Sequence, residues 1–457
     1  MENAWKKYNQ KQRREIFNFT EGYRQFLSDC KTERECVNRG IEIAEAHGFR
    51  NVKDYIEEGR PLKAGDKVYL NNMGKDLALF IIGKQPLEKG MNILGAHIDS
   101  PRLDWKQHPF YEDHEIALAD THYYGGIKSY QWVTIPLALH GVVCKKDGSV
   151  VNVVVGEDPK GPVVGISDLL VHLSRQQMQK KGSEVVEGED LNVTIGSIPL
   201  EKEEKDAVKA NILKLLKNKY KVEEDDFLSA EIEVVPAGAA KHYGLDSSMI
   251  IGYGHDDRVC AYTSLMAMME IENPEKTVSC MLVDKEEVGS IGATGMQSYF
   301  YENVLAEILE LCGGLSDLKL RRCLANSKML SSDVSAAYDP NYPSVNEMKN
   351  TCFFGYGIVM NKYVGSGGKG GSNDANPEYI AEIRKVWDDA DVSWQTAEIG
   401  KVNAGGGGTI AYIMAKYNML VVDSGVAVQN MHAPWEVVSK VDVWEAYKAY
   451  VAFCKNI

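Results

Sequence analysis

The most constraining feature of this sequence is the way that polar clusters follow short apolar runs. The runs 91–96 and 277–283 end directly before the clusters 97–99 (HID) and 284–287 (DKEE). Short apolar runs bounded by Gly, Lys and Asn predict buried strands of an α/β sheet. Since open α/β sheets bind ligands beyond the ends of their strands, the sequence predicts an α/β fold with a functional site at one sheet edge.

Three further clusters carry the same kinds of side chain: Asp256 and Asp257 in 254–258 (GHDDR), Asp333 in 330–335 (LSSDVS) and His432 in 428–434 (VQNMHAP). Taken singly, each has an ordinary structural explanation, such as a helix cap or a loop carboxylate. Together, two histidines and three carboxylates suit a two-metal site, because one bridging carboxylate gives each ion three protein ligands. Adjacent acids after a strand also repel one another, which a divalent cation relieves.

One of these clusters contains a pair that is suited to supporting a metal ligand. In extended chain, His97 and Asp99 lie on the same face. Asp99 can therefore accept the second ring N–H of a metal-bound His97, which would orient the imidazole.

The composition excludes several other classes of protein. The chain has 457 residues, of which 44% are apolar and 25% charged, so collagen-like and disordered classes are excluded. A net charge of −14 argues against nucleic acid as a partner. No apolar run reaches the roughly 18 residues that span a membrane, and the amino-terminal stretch is charged, so we expect a cytoplasmic location without membrane contact. The nine cysteines show no C-x-x-C spacing, which leaves His and carboxylates as metal ligands.

The pattern of apolar and charged residues changes twice along the chain, which predicts an inserted domain. Residues 1–104 and 249–457 combine helical patterns with buried-strand runs and are predicted to form one α/β catalytic domain. Residues 105–248 are predicted to form a mainly-β insertion. Its strand-like runs, such as 132–143, surround a charged amphipathic helix within 201–226.

Other catalytic classes lack their motifs. The glycine-rich stretches 365–372 and 405–408 contain no GK[ST] tripeptide, so neither matches a phosphate-binding loop. No G-x-S-x-G element is present, which argues against a serine hydrolase. The glycines at 405–408 are predicted instead to let the backbone approach a substrate.

Five longer motifs carry a resemblance to a known family: GAHIDSPRLD (95–104), THYYGGIKSYQWVTIPLALHG (121–141), DKEEVGS (284–290), SSDVSAAYDPNY (331–342) and MHAP (431–434). In these motifs, and in their order, the chain resembles the bacterial branch of the aspartyl aminopeptidase family of co-catalytic di-zinc metalloaminopeptidases. The resemblance implies a mixed-sheet, zinc-aminopeptidase-like catalytic domain. It also implies that the inserted domain serves for dimerisation or as a lid.

The resemblance further implies two divalent metal ions held by five side chains: His97 and Asp333 on one ion, Glu287 and His432 on the other, and Asp256 bridging them. Asp99 would be the carboxylate behind His97, and Glu286 the general base that takes a proton from a water between the ions. The family also implies a cis peptide bond between Asp256 and Asp257. Zinc is the expected metal, although cobalt or manganese would also suit these ligands.

The implied activity is removal of amino-terminal residues from peptides, with a preference for Asp or Glu. Lys362 is the candidate cation for such a side chain. His172 matches a histidine that the family projects into a neighbouring subunit's site, within a tetrahedral dodecamer. Two alternatives stay open: an aminopeptidase of the same fold with broad or neutral preference, and a catalytically silent shell protein that only self-assembles.

Overall fold

The computed structural model describes residues 2–365 and 367–457. Met1 and Ser366, which belongs to the glycine-rich stretch 365–372, lie outside the described residues. The described helices are α1 Gln10–Asp29, α2 Glu33–Ala46, α3 Val52–Glu58, α4 Ala207–Tyr220, α5 His255–Met269, α6 Phe300–Leu311, α7 Asp317–Asn326, α8 Pro377–Asp389, α9 Ala411–Ala415 and α10 Lys440–Asn456.

The described strands are β1 Arg50–Asn51, β2 Lys67–Asn72, β3 Asp76–Ile81, β4 Asn92–His97, β5 Arg102–Asp113, β6 Ile116–Tyr124, β7 Leu137–Cys144, β8 Val150–Val155, β9 Val193–Gly196, β10 Ala230–Pro236, β11 Lys241–Tyr243, β12 Met249–Gly252, β13 Val278–Val283, β14 Lys328–Ser331, β15 Ser335–Ala336, β16 Ile358–Asn361, β17 Trp394–Thr396, β18 Leu420–Gly425, β19 Ala427–Gln429 and β20 Glu436–Ser439. Short 3-10 turns occur between them, one of which, Glu286–Val288, lies in the loop after β13.

The described residues form two compact units. The first contains the chain up to Asp99 together with Ala240–Met431 and Glu436–Ile457, and the second contains Ser100–Ala239 and His432–Trp435. The described strands form two sheets in the first unit and one in the second, and each unit has its own buried apolar residues.

Nine of the described strands form the main sheet of the first unit, in the order β1-β2-β3-β13-β4-β14-β18-β16-β17. Its centre, β13-β4-β14-β18, is parallel, whereas β3 and β16 pair antiparallel with their inner neighbours. The predicted mixed α/β class is therefore confirmed. A second sheet of this unit, β11-β12-β20-β19-β15, is built from short strands.

Helices cover both faces of the main sheet, which explains why its central strands are continuous apolar runs. On one face Leu282 belongs to a core with Leu265 of α5 and Phe453 of α10. On the other face Met281 belongs to a core with Leu305 of α6. Neighbouring residues of β13 thus point into opposite cores, and every residue of β13 is buried.

The second unit is built on a six-stranded antiparallel sheet in the order β8-β7-β10-β5-β6-β9, with α4 within the charged block predicted to contain a helix. The strand predicted over 132–143 was wrong at its start, since β7 begins at Leu137. Thr134 has a φ of 62°, and Pro136 has no N–H for a strand ladder, so the chain cannot be regular strand before that point. Among all described helices, none has the length and apolar character that crossing a membrane requires.

Candidate metal centre

The site predicted from the sequence lies at the carboxyl edge of three neighbouring parallel strands. In the main sheet β4 lies between β13 and β14, with His97 opposite Val283 and Gly95 opposite Ser331. The chain therefore leaves all three strands at nearly the same height. This register brings the segments after His97, Val283 and Ser331 together, as open α/β sheets do at a ligand site.

His97 lies at the centre of a group of carboxylates. Its Nε2 lies 3.1 Å from Asp256 Oδ1, 4.0 Å from Glu286 Oε2 and 4.0 Å from Asp333 Oδ1. His97 is 2% exposed and Asp256 3%, so these polar groups lie away from bulk water. Such an arrangement of a histidine and acids requires compensation by a positive charge.

Asp99 connects the histidine to the turn that carries the two glutamates. His97 Nδ1 lies 3.0 Å from the backbone oxygen of Asp99 and 3.2 Å from its Oδ1. The two carboxylate oxygens of Asp99 also accept the backbone N–H groups of Glu286 and Glu287, at 3.1 Å each. Asp99 therefore contacts His97, Glu286 and Glu287 at once.

Asp256 is held at the irregular start of α5. Asp256 and Asp257 have non-helical backbone angles, and the peptide bond between them is cis, as the resemblance implied. The N–H of Asp256 donates to Glu436 Oε2 at 3.0 Å. The preceding residue, His255, is buried with its Nδ1 2.6 Å from the hydroxyl of Tyr23.

Asp333 is brought in by a close backbone approach that only glycine allows. A Cβ atom at Gly425 of β18 would lie 1.9 Å from the carbonyl oxygen of Asp333. Gly425 thus lets the segment after β14 pass directly against β18. This contact places the Asp333 side chain beside His97.

Burial and mutual repulsion act together on the pKa values of the acids in this cluster. Burial raises the pKa of Asp333 well above its usual range, and the charge of Asp257 raises it further. Burial also raises the pKa of Asp257, and Asp256 adds to that effect against the opposing influence of His97. Burial alone would lower the pKa of His97, but hydrogen bonds to Asp256 and Asp99 raise it well above its usual value.

These side chains fit a divalent ion. Two groups in the first unit bring ligand atoms within 4.8 Å of one another: His97 with Asp256 and Asp333, and His97 with Glu286 and Glu287. Imidazole and carboxylate ligands suit zinc. A bound cation would lower the acids' pKa values and remove their mutual repulsion.

Two further predicted residues, His432 and His172, belong to the second unit. His432 belongs to the second unit, where its Nδ1 lies 2.9 Å from the carbonyl oxygen of Gly126. His172 is exposed in a turn of the second unit, so it is neither in a helix nor in the core. The predicted roles of both histidines stay predictions.

Lys362 is not brought to the cluster around His97. It follows the last residue of β16, which lies three strands from β4 in the sheet order. Its ammonium forms an ion pair with Asp374, and both side chains are 46% exposed. Lys369 also pairs with Asp374, at 3.1 Å.

Two buried acids support the site although the sequence analysis gave them no role. Glu436 accepts the N–H of Asp256, and Asp284 anchors the turn that leads to Glu286. Glu436 is four residues from His432, and Asp284 begins the DKEE motif. Proximity to motif residues was the one available signal, because a carboxylate that serves the backbone looks like any other acid in a sequence.

A crowded cluster of histidine and carboxylates at the strand edge of a mixed sheet is typical of metal-dependent hydrolases. Consistent with this class, the family model described as Aminopeptidase I zinc metalloprotease (M18) matches residues 26–454. The chain therefore belongs to the M18 family of zinc metalloproteases and is a metalloaminopeptidase. The resemblance found in the sequence is thereby confirmed at the level of the family.

Similar proteins span the whole chain. The probable M18 family aminopeptidase 1 of Clostridium acetobutylicum is 61% identical over 455 residues, which cover 99% of this chain and 98% of that protein. The crystal structure of the M18 aminopeptidase from Thermotoga maritima is 43% identical, with a TM-score of 0.95, and covers 100% of this chain and 99% of its own. Aminopeptidase I from C. acetobutylicum gives a TM-score of 0.93 at 59% identity, with coverage of 100% and 99%. The predicted zinc-aminopeptidase-like fold is confirmed by these structures.

Proposed function

We propose that this protein removes amino-terminal residues from peptides by means of a water activated between two divalent metal ions, zinc in the first place. The observation that carries the proposal is the convergence of His97, Asp256, Glu286, Glu287 and Asp333 on one strand edge. His97 and Asp333 would hold one ion and Asp256 would bridge. Glu287 would hold the second ion, together with His432, which is added on the strength of the family resemblance.

In the proposed reaction, the metal ions and Glu286 have separate roles. Bound divalent ions lower the pKa of a water molecule and polarise a carbonyl oxygen. Glu286 would accept the proton of that water; the 4.0 Å between its Oε2 and His97 Nε2 and the hydrogen bond from its backbone to Asp99 support this role. Glu286 would then return the proton to the leaving amine. The excess of carboxylates favours a substrate with a cationic amino terminus, which restricts cleavage to the first residue.

The proposed preference for an acidic first residue needs a cation in the side-chain pocket. Lys362 is the candidate, but it is already ion-paired with Asp374. A substrate carboxylate would have to compete with Asp374 for this ammonium. The ion pair therefore favours a second candidate, an aminopeptidase of the same mechanism with a neutral preference.

We further propose that the protein functions as a homo-oligomer, in which the second unit provides a dimerisation or lid surface. Exposed apolar side chains surround His172 in this unit: Leu169, Leu170, Val171 and Leu173. Contiguous exposed apolar residues are typical of interaction surfaces. The S. cerevisiae mApe1 structure, which is 20% identical with a TM-score of 0.77, is described as a dodecamer. A tetrahedral dodecamer is the expected assembly.

The experiment that tests the function is hydrolysis of aminoacyl p-nitroanilides by chelated protein that has been reloaded with zinc, cobalt or manganese. The substrates are the Asp, Glu, Leu, Lys and Ala derivatives. Restored activity led by Asp or Glu supports the acidic preference, and activity led by Leu or Ala supports the neutral one. Failure to cleave every derivative with two ions bound per chain would contradict the proposal and favour a silent, self-assembling shell.

A further inference from the structure

The turn between β13 and the two glutamates is organised by one buried acid, Asp284. Its side chain is 0% exposed. Its Oδ1 accepts the backbone N–H of Lys285 at 2.8 Å, and its Oδ2 accepts Lys285 Nζ at 2.9 Å and Thr294 Oγ1 at 2.6 Å. Asp284 thus binds both the backbone and the side chain of the residue that follows it.

Lys285 needs this support because its backbone is left-handed. Its φ of 66° and ψ of 16° lie in the region that favours glycine, and side chains rarely adopt it. The left-handed residue reverses the chain after β13. The reversal points the next two N–H groups, those of Glu286 and Glu287, at the carboxylate of Asp99.

Further backbone hydrogen bonds hold Asp284 and Lys285 from the other side of the turn. The N–H of Ser290 donates to the carbonyl oxygen of Lys285 at 2.6 Å, and the N–H of Asp284 donates to Asp76 Oδ1 at 3.0 Å. Gly295 allows this closure, since a Cβ there would lie 2.3 Å from the carbonyl oxygen of Ser290. The turn is thus fixed on both sides, with Asp284 at its centre.

We propose that Asp284 is a positioning residue for the reaction: by holding Lys285 in the left-handed conformation, it sets the direction in which Glu286 presents its carboxylate. The inference rests on the proposed role of Glu286 as general base. Asp284 is fully buried and bonded to the N–H of Lys285, so its effect would pass through the backbone of Lys285. A misplaced base slows the chemical step, whereas the binding of substrate is unaffected.

This mechanism predicts that a glycine at position 285 can replace the function of Asp284. Glycine adopts the left-handed region without help from a neighbouring side chain. If Asp284 acts through the conformation of Lys285, the substitution Lys285→Gly will restore activity to an Asp284→Ala protein. If Asp284 serves only the stability of the fold, glycine at 285 will restore nothing.

The test compares Asp284→Ala, Lys285→Gly, the double variant and Glu286→Gln in the metal-reloaded p-nitroanilide assay. Metal content per chain and thermal midpoint are measured on each. For Asp284→Ala we expect kcat to fall about tenfold or more, KM to stay within about threefold and metal content to be unchanged. Lys285→Gly alone is expected to stay within about threefold of the parent, and the double variant to recover most of the lost kcat.

A matched control comes from another buried acid that serves the backbone. Asp442 accepts the N–H groups of Gly355 and Gly357 at 2.7 Å each. Asp442→Ala is expected to lower the thermal midpoint and to leave the kcat of the folded protein unchanged. Should Asp284→Ala fail to fold, Asp284→Asn replaces it, since its amide oxygen can still accept the Lys285 N–H while the ion pair with Lys285 is lost.

An unchanged kcat in Asp284→Ala, or a double variant no faster than Asp284→Ala, would overturn the inference. The proposed function fails separately, through retained turnover in metal-replete Glu286→Gln. If Glu286→Gln loses turnover while Asp284→Ala keeps the kcat of the parent, Glu286 remains the proposed general base. Only the proposal that Asp284 positions it is then contradicted.

Discussion

Two regions of the main sheet differ in how firmly they hold their polar side chains. The first is the carboxyl edge of β4, β13 and β14, and the second is the end of β16. At the first, His97 and Asp256 are almost fully buried, and backbone N–H groups fix the acids around them. At the second, Lys362 is 46% exposed and meets its partner Asp374 on the surface. Surface ion pairs contribute roughly 0–1 kcal/mol, so they position a side chain weakly. The sheet therefore fixes the groups proposed for catalysis far more firmly than the group proposed for specificity.

The largest effect is expected at the buried edge, from Glu286→Gln. Glutamine keeps the size of the side chain but cannot accept a proton, so we expect both metals to stay bound while turnover falls at least about a hundredfold. Turnover of metal-reloaded protein on p-nitroanilides, with metal content measured by mass spectrometry, checks this expectation. Equal turnover in parent and variant would remove Glu286 from its proposed role.

A second test of the buried edge is whether His432 completes it. We expect His432→Ala to lower the metal content towards one ion per chain, because removal of a ligand weakens one of the two proposed sites. The matched control is His114→Ala, since the side chain of His114 is 94% exposed. The same metal-to-protein ratio in both variants would take His432 off the ligand set.

The sequence predicted the residue types of this edge better than their supports. Apolar runs predicted the central strands, and clusters of acids after them predicted His97, Glu286, Glu287 and Asp333 as neighbours. Local patterns carry no information on which amides a carboxylate will meet 187 residues away, as Asp99 meets that of Glu286. The same limit hid Glu436, which accepts the N–H of Asp256, 180 residues earlier in the chain.

Between the two regions lies Asp423 of β18, which is paired with Ser331 on one side and Asn361 on the other. Burial raises its pKa to about 7, against opposing hydrogen bonds from Thr409 and Ser331. Because the folded pKa is raised, the neutral acid stabilises the fold at low pH. That contribution is lost as pH rises from about 4 through about 7.

Asp423→Asn removes this titration, since an amide stays neutral at every pH tested. We expect the free energy of unfolding of the parent, relative to the variant, to decline by up to about 4 kcal/mol over that range, at about 1.36 kcal/mol per pKa unit. Urea denaturation at pH 4 to 8 measures the difference. Asp113→Asn, at a side chain that is 71% exposed, serves as control. Parallel pH curves for parent and Asp423→Asn would contradict the assignment.

The smallest effect is expected at the end of β16, from Lys362→Met. Since Asp374 already neutralises this ammonium, we expect the ratio of kcat/KM for Asp over Leu p-nitroanilide to fall by about threefold or less, and stability to change by about 0.5 kcal/mol or less. Asp374→Asn is the sharper variant, because it releases Lys362 and should raise the same ratio. A fall of tenfold or more in Lys362→Met would show that a weakly positioned surface cation governs specificity after all. It would also mean that the substrate carboxylate displaces Asp374 from Lys362. The cluster around His97 would then be ordered before substrate binds, and Lys362 would become ordered only when substrate binds.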